Sequence, residues 1–434
     1  MVFDSYLFFA FLAAVLISYR WLPHKGQNWL LLAGSYFFYG CWDWRFLSLI
    51  IASTLVDYTA AKMIYCSHVP FNRKLWLVVS CAMNLGILGF FKYYNFFAQE
   101  LSSLLEQVGV GNSLGSLHII LPVGISFYTF QTMSYSIDVY KGLTKPITNL
   151  RDFALYVSFF PQLVAGPIER STHLVPQITS PRKVTGTHLS EGIYMVLFGL
   201  VKKVVIADNA AIIANTVFES PLETLTGFEC MIGMYAFAFQ IYGDFSGYSL
   251  IARGTARLLG FDLMQNFNLP YFAAAPRFIW RRWHISLSTW LRDYLYLPLG
   301  GSRKGRVRNY VNLMITMVLG GLWHGAAWRF MVWGAFHGGL LAIERKLFGD
   351  RIKDNARGPI GMIGALMTFH LMCISWIFFR ANSLIHGVNY LRTIFTDWAG
   401  MGQLGLGMAV FSALYLFPFI VYEAFLYWAD DHFV

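Results

Sequence analysis

Charge is what this sequence has least of. Only 13% of its 434 residues are Asp, Glu, Lys or Arg, about half of the roughly 25% that a soluble globular domain carries. Water is therefore not its main solvent. Cysteine is sparse too: Cys41, Cys66, Cys81, Cys230 and Cys373 are widely scattered. They form no CxxC pair and no disulfide framework, and they read as small buried side chains. The apolar runs do not alternate, which excludes a membrane β-barrel. No histidine pair has metal-ligand spacing on a helix with carboxylate support, so no metal is expected. The N-terminus, MVFDSYLFFAFLAAVLISYRWLPHK, lacks the basic n-region of a cleavable signal and reads as a retained first helix.

Hydrophobic residues make up 56% of the chain. Apolar segments fall near 5–22, 28–41, 45–62, 75–97, 119–140, 192–218, 230–251, 310–327, 329–343, 360–379 and 406–428. That pattern predicts an all-α, polytopic membrane protein with about eleven transmembrane helices, built as one domain over 1–434. Segment 152–168 carries Pro161 and Pro167, with Glu169 just beyond. It reads as re-entrant, a backbone that must be shielded by protein.

The net charge of +10 is not a nucleic-acid signature, because the cations sit between apolar runs, as in cytoplasmic loops. Loops 99–118 and 219–229 hold Glu and no Lys or Arg, so they are expected outside. Lys62, Arg73, Lys74, Lys141, Lys145, Arg151, Arg182, Lys183, Arg253 and Arg257 mark the inside. This places 253–308 at the cytoplasmic face and the N-terminus outside, and it leaves Arg380 and Arg392 on the wrong side.

Two histidines sit where an ionisable group is expensive unless paired or used. His284 lies in a Trp- and Leu-rich stretch opened by Pro276. On a continuous helix Arg277, Arg281, His284, Ser288 and Arg292 would share an arc of roughly 80°. Ile279, Trp283, Leu287 and Trp290 would lie opposite. The arginines then meet anionic headgroups, or the phosphates of an anionic donor such as coenzyme A, and both can hold together. Arg303, Lys304, Arg306 and Arg308 add to the same positive potential.

His324 follows Tyr310 by 14 residues, about 20 Å along a helix, among Gly320, Gly321 and Gly325. The Gly321–Gly325 spacing favours close helix approach. A neutral imidazole there can take a proton from a hydroxyl, the work of a general base. His337 and His370 lack polar neighbours and read as structural; on one continuous helix His337 would point away from His324. Asp244, between Gly243 and Gly247, reads as a helix cap or a bond to a partner helix. GMGQLG at 400–405 follows no strand, and GDFSGYS is not a nucleophile elbow.

Taken together, WRRWHISLSTWLRDYLYLPLGG and GGLWHGAAWRFMVWGAFHGG closely resemble the membrane-bound O-acyltransferase family, and within it the bacterial alginate O-acetyltransferase branch. LPVGISFYTFQTMSYSIDVYKG (121–142), FFPQLVAGPIER (159–170) and YGDFSGYSLIARGTARLLGFDLMQNFNLPY (242–271) extend the resemblance over most of the chain. It implies that His324 is the family's invariant histidine and His284 its second site residue, both near a pore or funnel through the membrane. It also implies a cytoplasmic acyl donor, acetyl-CoA, and an inner-membrane location. A periplasmic partner would complete transfer to a polysaccharide, and relatives are expected to run beyond the final ADDHFV. Peptidoglycan O-acetylation is the nearest alternative, with teichoic acid D-alanylation further off. A transporter would show halves with matched broken segments, which do not occur here. A non-catalytic export scaffold would tolerate loss of both histidines.

Overall fold

The computed structural model describes every residue except 110–116, 165, 350, 352, 355, 356, 399, 401–403 and 430–434. The GMGQLG match and the terminal DDHFV therefore lie partly or wholly outside the described residues. All regular structure among the described residues is helical, and no strand occurs. Among the described residues three stretches are long and apolar enough to cross a membrane: His24–Cys66, Pro70–Gln107 and Pro359–Arg380. Tyr6–Arg20 and Leu414–Ala429 are shorter apolar helices. In Pro70–Gln107 only 17% of the most apolar window is buried, so the rest of that greasy surface is left to lipid rather than to a core.

The chain divides into two compact units. The first comprises Met1–Tyr194 and Ala252–Met264. Its helices begin and end where the chemistry dictates. Ser5 accepts from the Phe8 amide to open Tyr6–Arg20, and Pro70 occupies the first turn of Pro70–Leu88. Gly142, at φ +75°, closes Ile125–Lys141 with a left-handed turn that only glycine adopts without strain. Segment 152–168 is broken, as its prolines require. Leu150–Ser158 gives way at Phe159 to the short Phe160–Leu163 turn, and nearly every side chain there is buried. That is irregular backbone shielded by protein.

The second unit comprises Met195–Ile251 and Gln265–Val434. A buried triad stitches its helices: Lys202 Nζ and Tyr242 Oη both donate to Glu423 Oε1, at 3.1 and 2.6 Å. Asp244 does not cap a helix. It lies within Gly227–Leu258 and pairs with Lys203 at 2.8 Å. Gly243 and Gly247 lean on the backbone of Lys202 and Gly199, the close approach that the spacing favours. Arg380 pairs with Glu219 at 3.2 Å and donates a hydrogen bond to Asn215 Oδ1 at 2.8 Å. The pairing ties this arginine to the start of the acidic 219–229 loop. The cysteines depart from expectation: Cys230 and Cys373 are buried, but Cys41 and Cys66 are exposed, because an apolar thiol is tolerated against lipid.

Candidate active site

The stretch carrying His284 is not one helix. Pro276–Arg282 and Ile285–Leu291 are separate seven-residue helices. Trp283 is extended between them and His284 is left-handed at φ +44°, a conformation that costs a non-glycine residue about 1 kcal/mol or more. The freed backbone groups find partners in the preceding loop. Asn268 N donates to the Arg282 carbonyl and Ile285 N to the Asn266 carbonyl, both at 2.9 Å. Asn266 Oδ1 also accepts from Ser286 N and Oγ. Burial of Trp283 and His284, 3% and 1% exposed, then outweighs the lost helical turn. Hydrophobic periodicity sees only the apolar face and carries no trace of these asparagines, so a continuous helix was the wrong expectation.

The break changes what the basic stripe can do. Arg277 pairs with Glu344 and also donates to the Gly349 carbonyl. Arg281 is exposed beside the Phe278 ring, and Arg292 pairs with its neighbour Asp293 at 2.8 Å. Ser288 Oγ turns inward to the Trp283 carbonyl at 3.2 Å. The 80° arc does not survive the break.

His284 caps the second short helix by accepting from Leu287 N through Nδ1 at 3.4 Å. Burial first, and then the nearby His324 imidazole, hold His284 well below the ordinary histidine range, so its ring is neutral. Trp323 neighbours both histidines. Its indole lies 5.8 Å from the His284 ring and 5.0 Å from the His324 ring.

His324 is the last residue of the Arg306–His324 helix. The chain reverses through Gly325–Ala327 and returns as Trp328–Phe348. His337 therefore does not point elsewhere. Trp333 lies 5.2 Å from His324 and 4.7 Å from His337, while Phe379 packs 5.3 Å from His324. His337 Nε2 is bonded to Ser375 Oγ at 3.1 Å. His284 and His337 are both buried, whereas His324 keeps partial exposure. A base must reach its substrate, and of these three rings His324 alone is open to do so. Among the described residues no three His, Cys, Asp or Glu side chains converge as a metal site would require.

At the other end of the same helical hairpin is a cavity of about 530 Å³. Arg306, Arg345, Lys346 and Arg351 line it with Ser302 and Asn309, and among the described residues no carboxylate does. Sequence reading flagged Arg306 but missed the other three cations, which reach the cavity only because the hairpin folds back. Arg306 precedes His324 by 18 residues, about 27 Å of helix. A larger cavity of about 990 Å³, lined by Tyr235, Tyr271, Phe369, Ile420 and Glu423 among others, contains neither His284 nor His324.

The profile of the membrane-bound O-acyltransferase family matches residues 146–382, which hold His284, His324 and the whole hairpin. The chain belongs to this family. It is a membrane protein and its chemistry is acyl transfer. Over 402 residues it is 44% identical to "Probable alginate O-acetylase AlgI" of Azotobacter vinelandii, covering 92% of this chain and 79% of that protein. It is 35% identical over 425 residues to the peptidoglycan O-acetyltransferase of Helicobacter pylori, covering 90% and 79%. A more distant relative is the teichoic acid D-alanyltransferase of Bacillus subtilis, 26% identical over 285 residues, covering 62% and 71%.

Proposed function

We propose that this chain is a multi-pass O-acetyltransferase of the bacterial inner membrane, with about eleven crossings around a funnel. It moves an acetyl group from cytoplasmic acetyl-CoA to a hydroxyl of an extracytoplasmic polysaccharide such as alginate. Transfer is direct or passes through a periplasmic partner protein. The observation that carries this reading is the pair of histidines that share Trp323 as a neighbour, at the far end of a hairpin whose near end is lined with cations.

That separation favours a long donor with its phosphates at one end and its reactive acyl group at the other. The phosphates rest on Arg306, Arg345, Lys346 and Arg351, and the exposed Arg281 and Arg292 add attraction at the same face. Arg277, already held by Glu344, acts as a brace for this region. His324 accepts the proton as the acceptor oxygen attacks the thioester carbonyl. The carbon–sulfur bond then breaks, and the thiolate leaves and is reprotonated. His284, neutral and fixed by its cap, orients the acceptor or steadies the developing oxyanion.

Peptidoglycan as acceptor is the second reading, favoured by the 35% identity to the Helicobacter pylori enzyme. Mass spectrometry of cell-surface glycans from a wild-type strain and a His324→Ala strain tests both. Loss of acetyl groups from an exopolysaccharide supports the first reading and loss from peptidoglycan supports the second. Unchanged acetylation of every glycan rules out the role given to His324.

A further inference from the structure

Five residues beyond His324, Arg329 stands in the first turn of the Trp328–Phe348 helix. It lies at the opposite end of the hairpin from the cavity lined by Arg306 and Arg345. A short chain of rings joins it to the base. Phe379 packs 5.3 Å from the His324 ring and 5.0 Å from the Phe330 ring, and the Arg329 guanidinium lies 4.8 Å from the centre of Phe330. Phe330 in turn covers Gly325, where a β-carbon would run into its ring. Arg329 is thereby held at the rim of the reversal that follows His324.

Its charge is not compensated. Among the described residues the half-buried Arg329 side chain makes no hydrogen bond and no ion pair. The charge that acts on it is the like charge of Arg380. Arg380 itself shares one carboxylate, Glu219 at 3.2 Å, whose side chain is 67% exposed. A guanidinium does not shed its proton, and a partly desolvated cation beside another is unfavourable unless an anion joins them. Two arginines against one carboxylate leave one positive charge over. A second carboxylate fits the donor forks of the two guanidinium groups.

The surroundings select the kind of anion. The loop that Arg380 touches holds Glu219, Glu223 and Glu229 and no Lys or Arg. A polyuronate carries a carboxylate on every sugar and would press its further charges against these acids. A folded protein brings a single carboxylate to a fixed place, with apolar surface around it. The molecule offers such surface here: Trp328 is exposed next to Arg329, and the Leu384–Thr396 helix that follows Arg380 exposes Ile385, Val388 and Phe395. Arginine among aromatic side chains is the usual make-up of a protein interface centre.

We propose that Arg329 and Arg380 receive an acidic side chain of a protein partner on the extracytoplasmic face, and that this contact sets a hydroxyl of the partner beside His324. The inference rests on the reading of His324 as the base, and it narrows transfer to the relayed route. His324 takes the hydroxyl proton, the partner's oxygen bonds the acetyl carbon, and the carbon–sulfur bond breaks as the thiolate leaves and is reprotonated. Arg329 and Arg380 act as positioning residues and touch no reacting atom.

Strains carrying Arg329→Glu, Arg329→Gln or Arg329→Lys test this, with glycan acetylation read by mass spectrometry and abundance of the chain by immunoblot of membranes. Arg329→Glu is expected to lower acetylation at least about tenfold at wild-type abundance, and Arg329→Lys to keep most of it. Arg329→Gln, which removes the charge without reversing it, should also lower acetylation and serves if Arg329→Glu does not insert. Second-site mutations that restore acetylation to Arg329→Glu are expected to change an Asp or Glu of an extracytoplasmic protein to Lys or Arg. Wild-type acetylation in Arg329→Glu overturns the proposal, as do restoring mutations confined to this chain. Binding of mannuronate oligomers by the purified wild-type chain but not by Arg329→Gln also overturns it, by making the polysaccharide the ligand. Normal acetylation in His324→Ala sinks the reading of the base itself, whereas normal acetylation in Arg329→Glu alone sinks only this inference.

Discussion

Gly321 and Gly334 pack backbone against backbone. A β-carbon on Gly321 would lie 3.1 Å from the Gly334 nitrogen, and one on Gly334 would lie 2.9 Å from the Val318 Cα. This contact closes the hairpin that sets His324 and His337 on the same indole. Alanine at either position must push the helices apart, because the obstructing atoms are backbone and have nowhere to turn. Gly321→Ala is therefore expected to destabilise the protein by about 1–3 kcal/mol or more. Gly339→Ala, whose β-carbon would meet nothing within 4 Å, should change stability by no more than about 0.5 kcal/mol. Thermal unfolding of the two variants side by side checks the contrast.

The two histidines are expected to respond differently to substitution. His324→Ala removes the partly exposed base and should lower acetyl transfer by about 10²–10⁴-fold or to background, with Tm little changed. His284 also carries a backbone duty, its left-handed turn and its cap on Leu287. Asparagine tolerates that conformation and can cap, while alanine does neither. His284→Asn should therefore keep wild-type Tm, and His284→Ala should lose roughly 1–2 kcal/mol of stability. Equal stability of the two would dissociate the turn from the residue that adopts it.

The cation-lined cavity separates binding from chemistry. Arg345→Ala or Arg351→Ala is expected to raise KM for acetyl-CoA at least about fivefold at low salt and leave kcat unchanged, since phosphate contacts far from the thioester bind ground and transition states alike. Added salt should narrow the gap. A drop in kcat at constant KM would place these residues at the reacting group instead.

Stability should also depend on one carboxylate–histidine pair. His173 Nδ1 lies 2.8 Å from Glu169 Oε2, and Glu169 is fully buried. The hydrogen bond to Glu169 raises the His173 pKa above its ordinary 6.5, and burial raises that of Glu169. Both groups thus bind a proton more tightly when folded. Their contribution is complete at pH below the unfolded pKa values and fades as pH rises through the raised ones. The Tm difference between wild type and His173→Gln should accordingly be largest in mild acid and shrink toward alkaline pH. A difference that grows with pH would reverse the assigned protonation.

Much of this molecule could be read without coordinates. Long apolar runs have one stable backbone solution away from water, the helix, because no solvent remains to satisfy the peptide groups. Helical class, most helix positions and the unusual standing of His284 and His324 therefore follow from composition and pattern. The break at Trp283–His284 does not, because it depends on Asn266 and Asn268 supplying hydrogen bonds across it. Nor does the return of His337 to Trp333, which requires the chain to reverse at Gly325–Ala327. The cations around Arg345 and the pair of Arg329 and Arg380 likewise come from segments far apart in the chain. Periodicity reports which face of a segment avoids water. Which partner meets that face, and whether a charge there finds a carboxylate, a hydroxyl or an open cavity, is settled by contacts between distant residues that only the folded chain brings within hydrogen-bonding distance.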